Sequence, residues 1–227
     1  VEIKSLKSGY LVKTNKSNYE TKEIINSMPV DQFLKCFDKD IYKNIEKETQ
    51  KLSYVHQKIV VLFVKAKKLT NFTWVYVHPK KIKTFRFLET NNWSTLMSPA
   101  GYTSLVFEYP YHVGDEIDKM SEKDLIETTK SDFLKYFAPK KLKRSKIIDT
   151  KVYYVPCAYP KYDFKYKKVI NKIYRFVDKN LEGVQLIGRN GMFHYNNLDH
   201  SIYTGILAGK NVVSEKKLYD LTRVNNE

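Results

Sequence analysis

The chain has 227 residues, 42% of them hydrophobic and 14% aromatic, and this composition is typical of a globular protein with a sizeable core. A formal net charge of +15 suits nucleic acid, an anionic membrane or an anionic substrate as a partner. No apolar run approaches the roughly 20 residues that a membrane-spanning helix needs. Cys36 and Cys157 lie far apart in the sequence, which predicts free thiols in a reducing cytoplasm and argues against a zinc site.

Most of the positive charge comes from lysine, whereas proteins that read nucleic acid favour the arginine fork. The lysines occur throughout the sequence, with one dense basic run at Lys140, Lys141, Lys143, Arg144 and Lys146. We therefore expect lysines spread over the surface, a basic corner at this run, and no specific nucleic-acid partner.

The residue pattern in the first half of the chain predicts mostly β-strands. Short strands are expected at Glu2–Leu6, Tyr10–Lys13 and Tyr19–Ser27, and longer ones at Tyr54–Lys65, Phe72–His78, Thr84–Glu89 and Thr103–Tyr109. Two helices are predicted between these groups, at Val30–Phe37 and Lys39–Lys51. Because the later strands follow one another without helices, they indicate a mainly antiparallel sheet.

The second half predicts helices around one more strand. Ser121 is a candidate cap for a helix through Tyr136, with Asp124 at the capping-box position. A strand at Ile147–Val155, a basic helix at Phe164–Val177 and a last short helix capped by Ser214 are expected further on. The fold class is therefore α+β.

The stretch from Asn180 to Val213 organises the C-terminal part. Val184, Leu186 and Ile187 predict a short buried strand of the kind found in parallel sheets, and Gly188 ends it. A polar loop follows, and a helix is expected to begin near Asn197 or Asp199, which are both good N-caps. By pattern alone this is most often an ordinary βα unit, although a helix N-terminus beside a strand end also suits an electron-rich ligand.

The sequence of residues 188–201, GRNGMFHYNNLDHS, resembles the C-terminal flavin-binding segment of the FAD-dependent amine-oxidase superfamily. It is most similar to UDP-galactopyranose mutases and protoporphyrinogen-oxidase-like proteins. The resemblance implies that the strand ends beside the isoalloxazine ring of FAD and that the helix N-terminus faces the N1–C2=O edge of that ring. It implies cofactor-binding roles for Gly188, Arg189, Asn197, Asp199 and His200.

Two neighbouring predicted strands carry candidate anion-binding groups. Trp74 and Tyr76 fall on one face of their strand, because side chains alternate. Arg86, on the next strand, has the apolar neighbours Phe85 and Phe87, so we expect it to have a specific anionic partner. A tyrosine hydroxyl and an arginine fork on adjacent strands would form a cradle for a diphosphate.

The resemblance to the mutases extends to this cradle. In that family a Trp-x-Tyr strand and a following arginine-bearing strand contact the diphosphate of a UDP-sugar, and tyrosines from two later segments join them. The matching positions here are Tyr76, Arg86, Tyr159 and Tyr195, and the resemblance implies that these four residues bind the substrate.

No side chain stands out as a catalytic group. The acidic residues between Glu108 and Glu116 are expected to be structural, because nothing in the sequence pairs them. The histidines lack metal-ligand spacing, and no Ser/His/Asp or Cys/His constellation can be assembled. By resemblance, the flavin N5 would carry the chemistry, with no metal and no catalytic side chain from this chain.

The resemblance covers nearly the whole chain but only about the second half of a family member. A GxGxxG loop, which holds the FAD pyrophosphate in the superfamily, is absent from the sequence. We therefore expect a fragment whose partner is a missing N-terminal FAD-binding half, with FAD bound by the full-length protein and not by this fragment. The expected segments are a β-meander of the FAD domain (1–29), a substrate-binding domain (30–180) and a C-terminal flavin-binding strand and helix of Rossmann-like type (181–227).

Three function classes remain open. The first is part of a flavoenzyme acting, like the mutases, on a nucleotide sugar of surface-polysaccharide biosynthesis. The second is a flavin-dependent oxidoreductase that takes hydride from a hydrophobic substrate, and the third is a non-catalytic basic binding module. The anion cradle favours the first class over the second, and the flavin-like segment favours both over the third.

Overall fold

The structure, a computed structural model, describes residues 1–140 and 142–225. Lys141 of the basic run lies outside the described residues. The strands, in chain order, are β1 (Glu2–Ser5), β2 (Tyr10–Lys13), β3 (Asn18–Thr21), β4 (Ile24–Asn26), β5 (Tyr54–Val64), β6 (Trp74–Tyr76), β7 (Arg86–Glu89), β8 (Thr103–Tyr111), β9 (Ile147–Pro160) and β10 (Val184–Leu186).

The α-helices lie between groups of these strands and after the last one. They are α1 (Val30–Leu34), α2 (Lys39–Tyr42), α3 (Glu46–Thr49), α4 (Glu116–Lys119), α5 (Glu122–Asp132), α6 (Tyr166–Asn180), α7 (Gly188–Gly191) and α8 (Leu198–Val213). Helices together with mostly antiparallel pairing confirm the predicted α+β class.

The chain forms two compact units. One unit contains Val1–Tyr54 and the stretch that begins at Tyr159, and the other contains Val55–Ala158. This grouping puts residues 30–54 and 159–180 in the same unit as both ends of the chain, whereas the sequence interpretation placed them with the substrate-binding segment. The functional meaning of the predicted segment boundaries stays a prediction.

The first unit holds two small sheets. β1, β2 and β3 form an antiparallel meander, and β4 pairs in parallel with β10 through Ile24↔Val184 and Asn26↔Leu186. The predicted single strand at Tyr19–Ser27 is therefore split into two. The Thr21 hydroxyl bonds to Glu23 O at the bend, which lets β3 join the meander while β4 joins β10.

The second unit is a five-stranded sheet in the order β6-β7-β8-β5-β9. Phe87 and Phe107 stack at 5.0 Å on its inner face, against Leu125 of α5 and Phe133 of the π-helical turn that follows α5. Burial of such side chains at roughly 25 cal/mol per Å² is the main stabilising contribution. Ser121 caps α5 by accepting the Asp124 N–H at 3.1 Å, as predicted.

Several boundaries differ from the predictions. The helix predicted at Lys39–Lys51 is interrupted before α3, where Ile45 takes a non-helical conformation and is buried. Ser214 does not cap a new helix. It follows the last residue of α8, and its hydroxyl donates to Asn211 O and Lys216 O, so that it ends this helix. Within the described part of the chain, no helix combines the length and the apolar character needed to cross a bilayer.

The packing of α7 on β4 predicts an unequal response to two glycine substitutions. A Cβ at Gly191 would collide with the backbone oxygen of Asn26, whereas a Cβ at Gly209, inside α8, would meet nothing within 4 Å. Gly191→Ala should therefore lower the free energy of unfolding by about 1–3 kcal/mol. The control Gly209→Ala should raise it by about 0.5–1 kcal/mol, because alanine is the better helix former. Urea denaturation measures both, and equal effects would contradict the close packing.

Candidate functional site

The loop between β10 and α8 includes α7, which contains two of the five predicted cofactor-binding residues, Gly188 and Arg189. Gly188, the first residue of α7, has a φ of +70°, a conformation that favours glycine. Its N–H donates to the Thr204 hydroxyl of α8 at 3.0 Å, and a Cβ in its place would meet only Ser201 Cβ, at 4.0 Å. Gly188 therefore brings the chain against α8 and leaves open space beside its backbone.

Arg189 lies beside two tyrosine rings and contacts a backbone carbonyl. Its Nε donates to Asn196 O at 2.7 Å, and its Cζ lies 4.9 Å from the ring centroid of Tyr159 and 5.0 Å from that of Tyr195. The two rings stack with centroids 5.5 Å apart and an interplanar angle of 15°. The structure thus brings Tyr159 to two residues of the 188–201 segment, Arg189 and Tyr195, and it orients the guanidinium by cation–π contacts.

Tyr162 and Asn196 also belong to this cluster, and the sequence analysis missed both. The Tyr162 hydroxyl accepts the Tyr195 N–H at 2.7 Å, and Asn196 is fully buried. Burial raises the pKa of Tyr162, so its hydroxyl stays neutral. Neither residue carries a sequence signal, because each acts through a contact that only the folded loop creates.

The first turn of α8 contains the remaining three predicted cofactor residues. Asn197 caps the helix, as predicted, and its N–H donates to His200 Nδ1 at 3.3 Å. Asp199 is exposed, and its Oδ2 lies 3.8 Å from His200 Nε2. Asn190, in α7, has a buried Oδ1 without a hydrogen-bond partner among the described residues. Such an acceptor is unusual and calls for a donor from elsewhere.

Tyr76 and Arg86 lie side by side in the second unit, on the paired strands β6 and β7. Arg86 Nη1 donates to the Tyr76 hydroxyl at 3.4 Å, and the two residues face each other in register. Trp74 and Tyr76 are both exposed, which agrees with the predicted common face.

The anionic partner of Arg86 within this chain is Glu108 of β8. Arg86 Nη2 donates to Glu108 Oε1 at 2.7 Å and Nε donates to Oε2 at 3.0 Å, which is a bidentate ion pair. Gln57 adds a bond to Glu108 Oε2 at 2.8 Å. The expectation that nothing pairs the acidic residues of this segment is therefore wrong for Glu108. The pairing follows from the register Arg86↔Glu108, which the sequence does not reveal.

The other acidic and histidine residues are structural here or form no cluster. Asp115 accepts the Asp118 N–H at the start of α4, and Glu116 pairs with Lys83. His56 Nδ1 accepts the Cys157 N–H at 3.2 Å. Over residues 1–140 and 142–225, no group of His, Cys, Asp and Glu could hold a metal ion.

Similar solved structures share this fold. No protein-family model and no curated protein matches the sequence. Reduced UDP-galactopyranose mutase superposes on 92% of the chain with a TM-score of 0.78 and 19% identity. A putative protoporphyrinogen oxidase from Exiguobacterium sp. 255-15 covers 95% with 0.67 and 13%, and putrescine oxidase bound to putrescine covers 94% with 0.62 and 12%.

At these identities the likeness shows the fold. The resemblance to the FAD-dependent amine-oxidase superfamily is confirmed at that level. The chain spans 45% of the mutase chain, 46% of the putative protoporphyrinogen oxidase and 47% of putrescine oxidase. The matched region is thus a little under half of each.

The Arg86–Glu108 pair predicts that the anion affinity of this strand is suppressed. Glu108→Gln should leave the guanidinium without its carboxylate and raise the affinity of the chain for pyrophosphate by about tenfold, the worth of one charge-assisted hydrogen bond. The matched control is Glu116→Gln, which removes the same charge at an exposed carboxylate. Calorimetric titration measures both, and an equal rise in the two variants would mean that only net charge matters.

His194 predicts a pH dependence of stability. Burial lowers its pKa below the ordinary value near 6.5 in the folded chain. Below about pH 6.5 His194 therefore binds a proton more readily in the unfolded chain than in the folded chain. The free energy of unfolding should decrease as the pH is lowered through this range. His194→Gln should reduce that slope, measured as urea stability between about pH 7 and pH 5. An unchanged slope would assign the acid sensitivity to other groups.

Proposed function

We propose that this chain is the C-terminal part of a FAD-dependent flavoenzyme, similar to UDP-galactopyranose mutase, that acts on a nucleotide sugar in surface-polysaccharide biosynthesis. The likeness to the reduced mutase over 92% of the chain, at a TM-score of 0.78, is the observation that carries the proposal. In this proposal the partner of the chain is an N-terminal FAD-binding half, which supplies the rest of the flavoenzyme fold. We place it in the cytoplasm, where the free thiols Cys36 and Cys157 are stable.

The residues after β10 fit the flavin of FAD. A Cβ at Gly188 would meet only Ser201, so a ligand could approach the backbone closely there, and the buried Asn190 Oδ1 offers an acceptor to a ring N–H. The capped N-terminus of α8 at Asn197, followed by Asp199 and His200, supplies N–H groups and a positive dipole end to an electron-rich edge. When bound, FAD supplies the reactive centre, whether the enzyme is a mutase or an oxidoreductase.

In this proposal the chain binds and orients the substrate. Arg189 carries the positive charge that would meet a phosphate, and its Nε donates to Asn196 O. Tyr159 and Tyr195 offer hydroxyls and a stacked apolar surface beside it. Tyr76 and Arg86 are the further substrate residues that the resemblance implies. Fixed donors of this kind reduce the entropy lost when the substrate is positioned.

A second candidate is a flavin-dependent oxidoreductase acting on a substrate with less negative charge. The Arg86–Glu108 ion pair favours it, because the carboxylate already occupies two donors of the guanidinium. A diphosphate would have to compete with Glu108 for Arg86, whereas a neutral or cationic substrate would not.

Purification from the native host, with an antibody against this chain, tests the flavoenzyme assignment. We expect a yellow protein that releases FAD on denaturation and, when reduced, converts UDP-galactopyranose to the furanose without net redox change. A colourless protein without FAD would contradict both flavoenzyme candidates and favour a basic binding module.

The choice of substrate is tested by titrating UDP and uridine into the 227-residue chain. If Arg189 meets the diphosphate, UDP should bind about ten- to hundredfold more tightly than uridine, and Arg189→Ala should abolish the difference. The control Arg223→Ala removes a highly exposed arginine and should not change it. Equal affinities for UDP and uridine in the unmodified chain would favour the oxidoreductase.

A further inference from the structure

Helix α6 carries a straight stripe of cations. Its members are Lys165, at the N-cap, followed by Lys168, Lys172, Arg175 and Lys179, all exposed. Their spacing of three, four, three and four residues puts them on one face of the helix, and at 1.5 Å per residue the stripe is about 21 Å long. The apolar face of α6 is used already, since Val169, Ile170, Ile173 and Val177 are buried.

Most of this charge is not neutralised by the protein. Lys172 pairs with Glu48 at 2.8 Å. Among residues 1–140 and 142–225, no carboxylate forms an ion pair with Lys165, Lys168, Arg175 or Lys179. A line of unpaired like charges repels itself, and an anionic surface laid along it would remove that cost.

A large apolar side chain precedes the stripe. Phe164, directly before Lys165, is fully exposed, whereas its neighbours Tyr162 and Tyr166 stack on each other at 3.9 Å. Peripheral membrane proteins often combine two weak interactions: a basic face attracts anionic lipid headgroups, and a projecting apolar group enters the membrane interface.

We propose that the α6 stripe and Phe164 form a docking surface for the anionic face of a lipid bilayer. The helix lies flat, its lysines and Arg175 meet lipid phosphates and carboxylates, and Phe164 enters the interfacial region. Charge complementarity selects an anionic partner. The predominance of lysine over arginine and the projecting Phe164 favour lipid over nucleic acid, because groove readers rely on arginine forks.

Vesicle flotation of the full 227-residue chain tests the proposal at about 0.15 M salt, a condition in which exposed charges are screened beyond about 8 Å. The chain should bind phosphatidylcholine vesicles that contain phosphatidylserine and should not bind vesicles of phosphatidylcholine alone. Reversing Lys168, Arg175 and Lys179 together to Glu should lower the binding constant by about a hundredfold or more. Phe164→Ala should lower it by about tenfold.

The matched control reverses Lys7, Lys16 and Lys22 to Glu, three exposed lysines of the same unit, so that net charge changes equally. It should retain most of the vesicle binding. Equal losses in the stripe variant and the control would overturn the proposal, as would no vesicle binding by the unmodified chain. Binding to a nucleic-acid duplex is measured by fluorescence anisotropy. If duplex binding is lost in the stripe variant while vesicle binding is unchanged, the proposal is overturned in favour of nucleic acid. Circular dichroism melting curves confirm that each variant is folded.

Discussion

The candidate site of the first unit depends on how Arg189 is held. The Arg189 backbone oxygen accepts the His194 N–H at 2.9 Å, while its side-chain Nε donates to Asn196 O at 2.7 Å. One residue thus closes the loop twice, through its backbone and through its side chain. The planar guanidinium then lies against Tyr159 and Tyr195, which limits its rotation. Lysine could not replace it, because a point charge has neither the fork nor the flat face.

This loop shows what sequence reasoning can and cannot reach. The short strand before Gly188 and the helix cap at Asn197 are local features, and both were predictable from an apolar run and a capping residue. Tyr162 and Asn196 were not, because their roles arise from contacts across 33 and 7 residues of chain. Local chemistry predicts elements, whereas the folded path of the loop decides which polar groups meet.

The second unit repeats this lesson through register. Arg86 was expected to have an anionic partner because its neighbours are apolar, and the structure pairs it with a carboxylate. Its partner within the chain, Glu108, follows from the exact pairing of β7 with β8, and a shift of one residue would place Glu108 on the opposite face. The apolar pattern of the two strands is compatible with several registers, so only the structure could identify the pair.

The two arginines differ in what surrounds them. Arg86 is held by the carboxylate of Glu108, which is nearly buried. Because the two opposite charges largely cancel, the pair exerts little electrostatic attraction on a distant anion. Arg189 donates to a neutral carbonyl and lies against two aromatic rings, which fix its position. The main effect of the Arg86–Glu108 pair is to bind β7 to β8, whereas the contacts of Arg189 bind the loop before α8 to Tyr159. The charge that the sheet presents therefore depends on Glu108, whereas the position of Arg189 depends on the fold of the loop before α8.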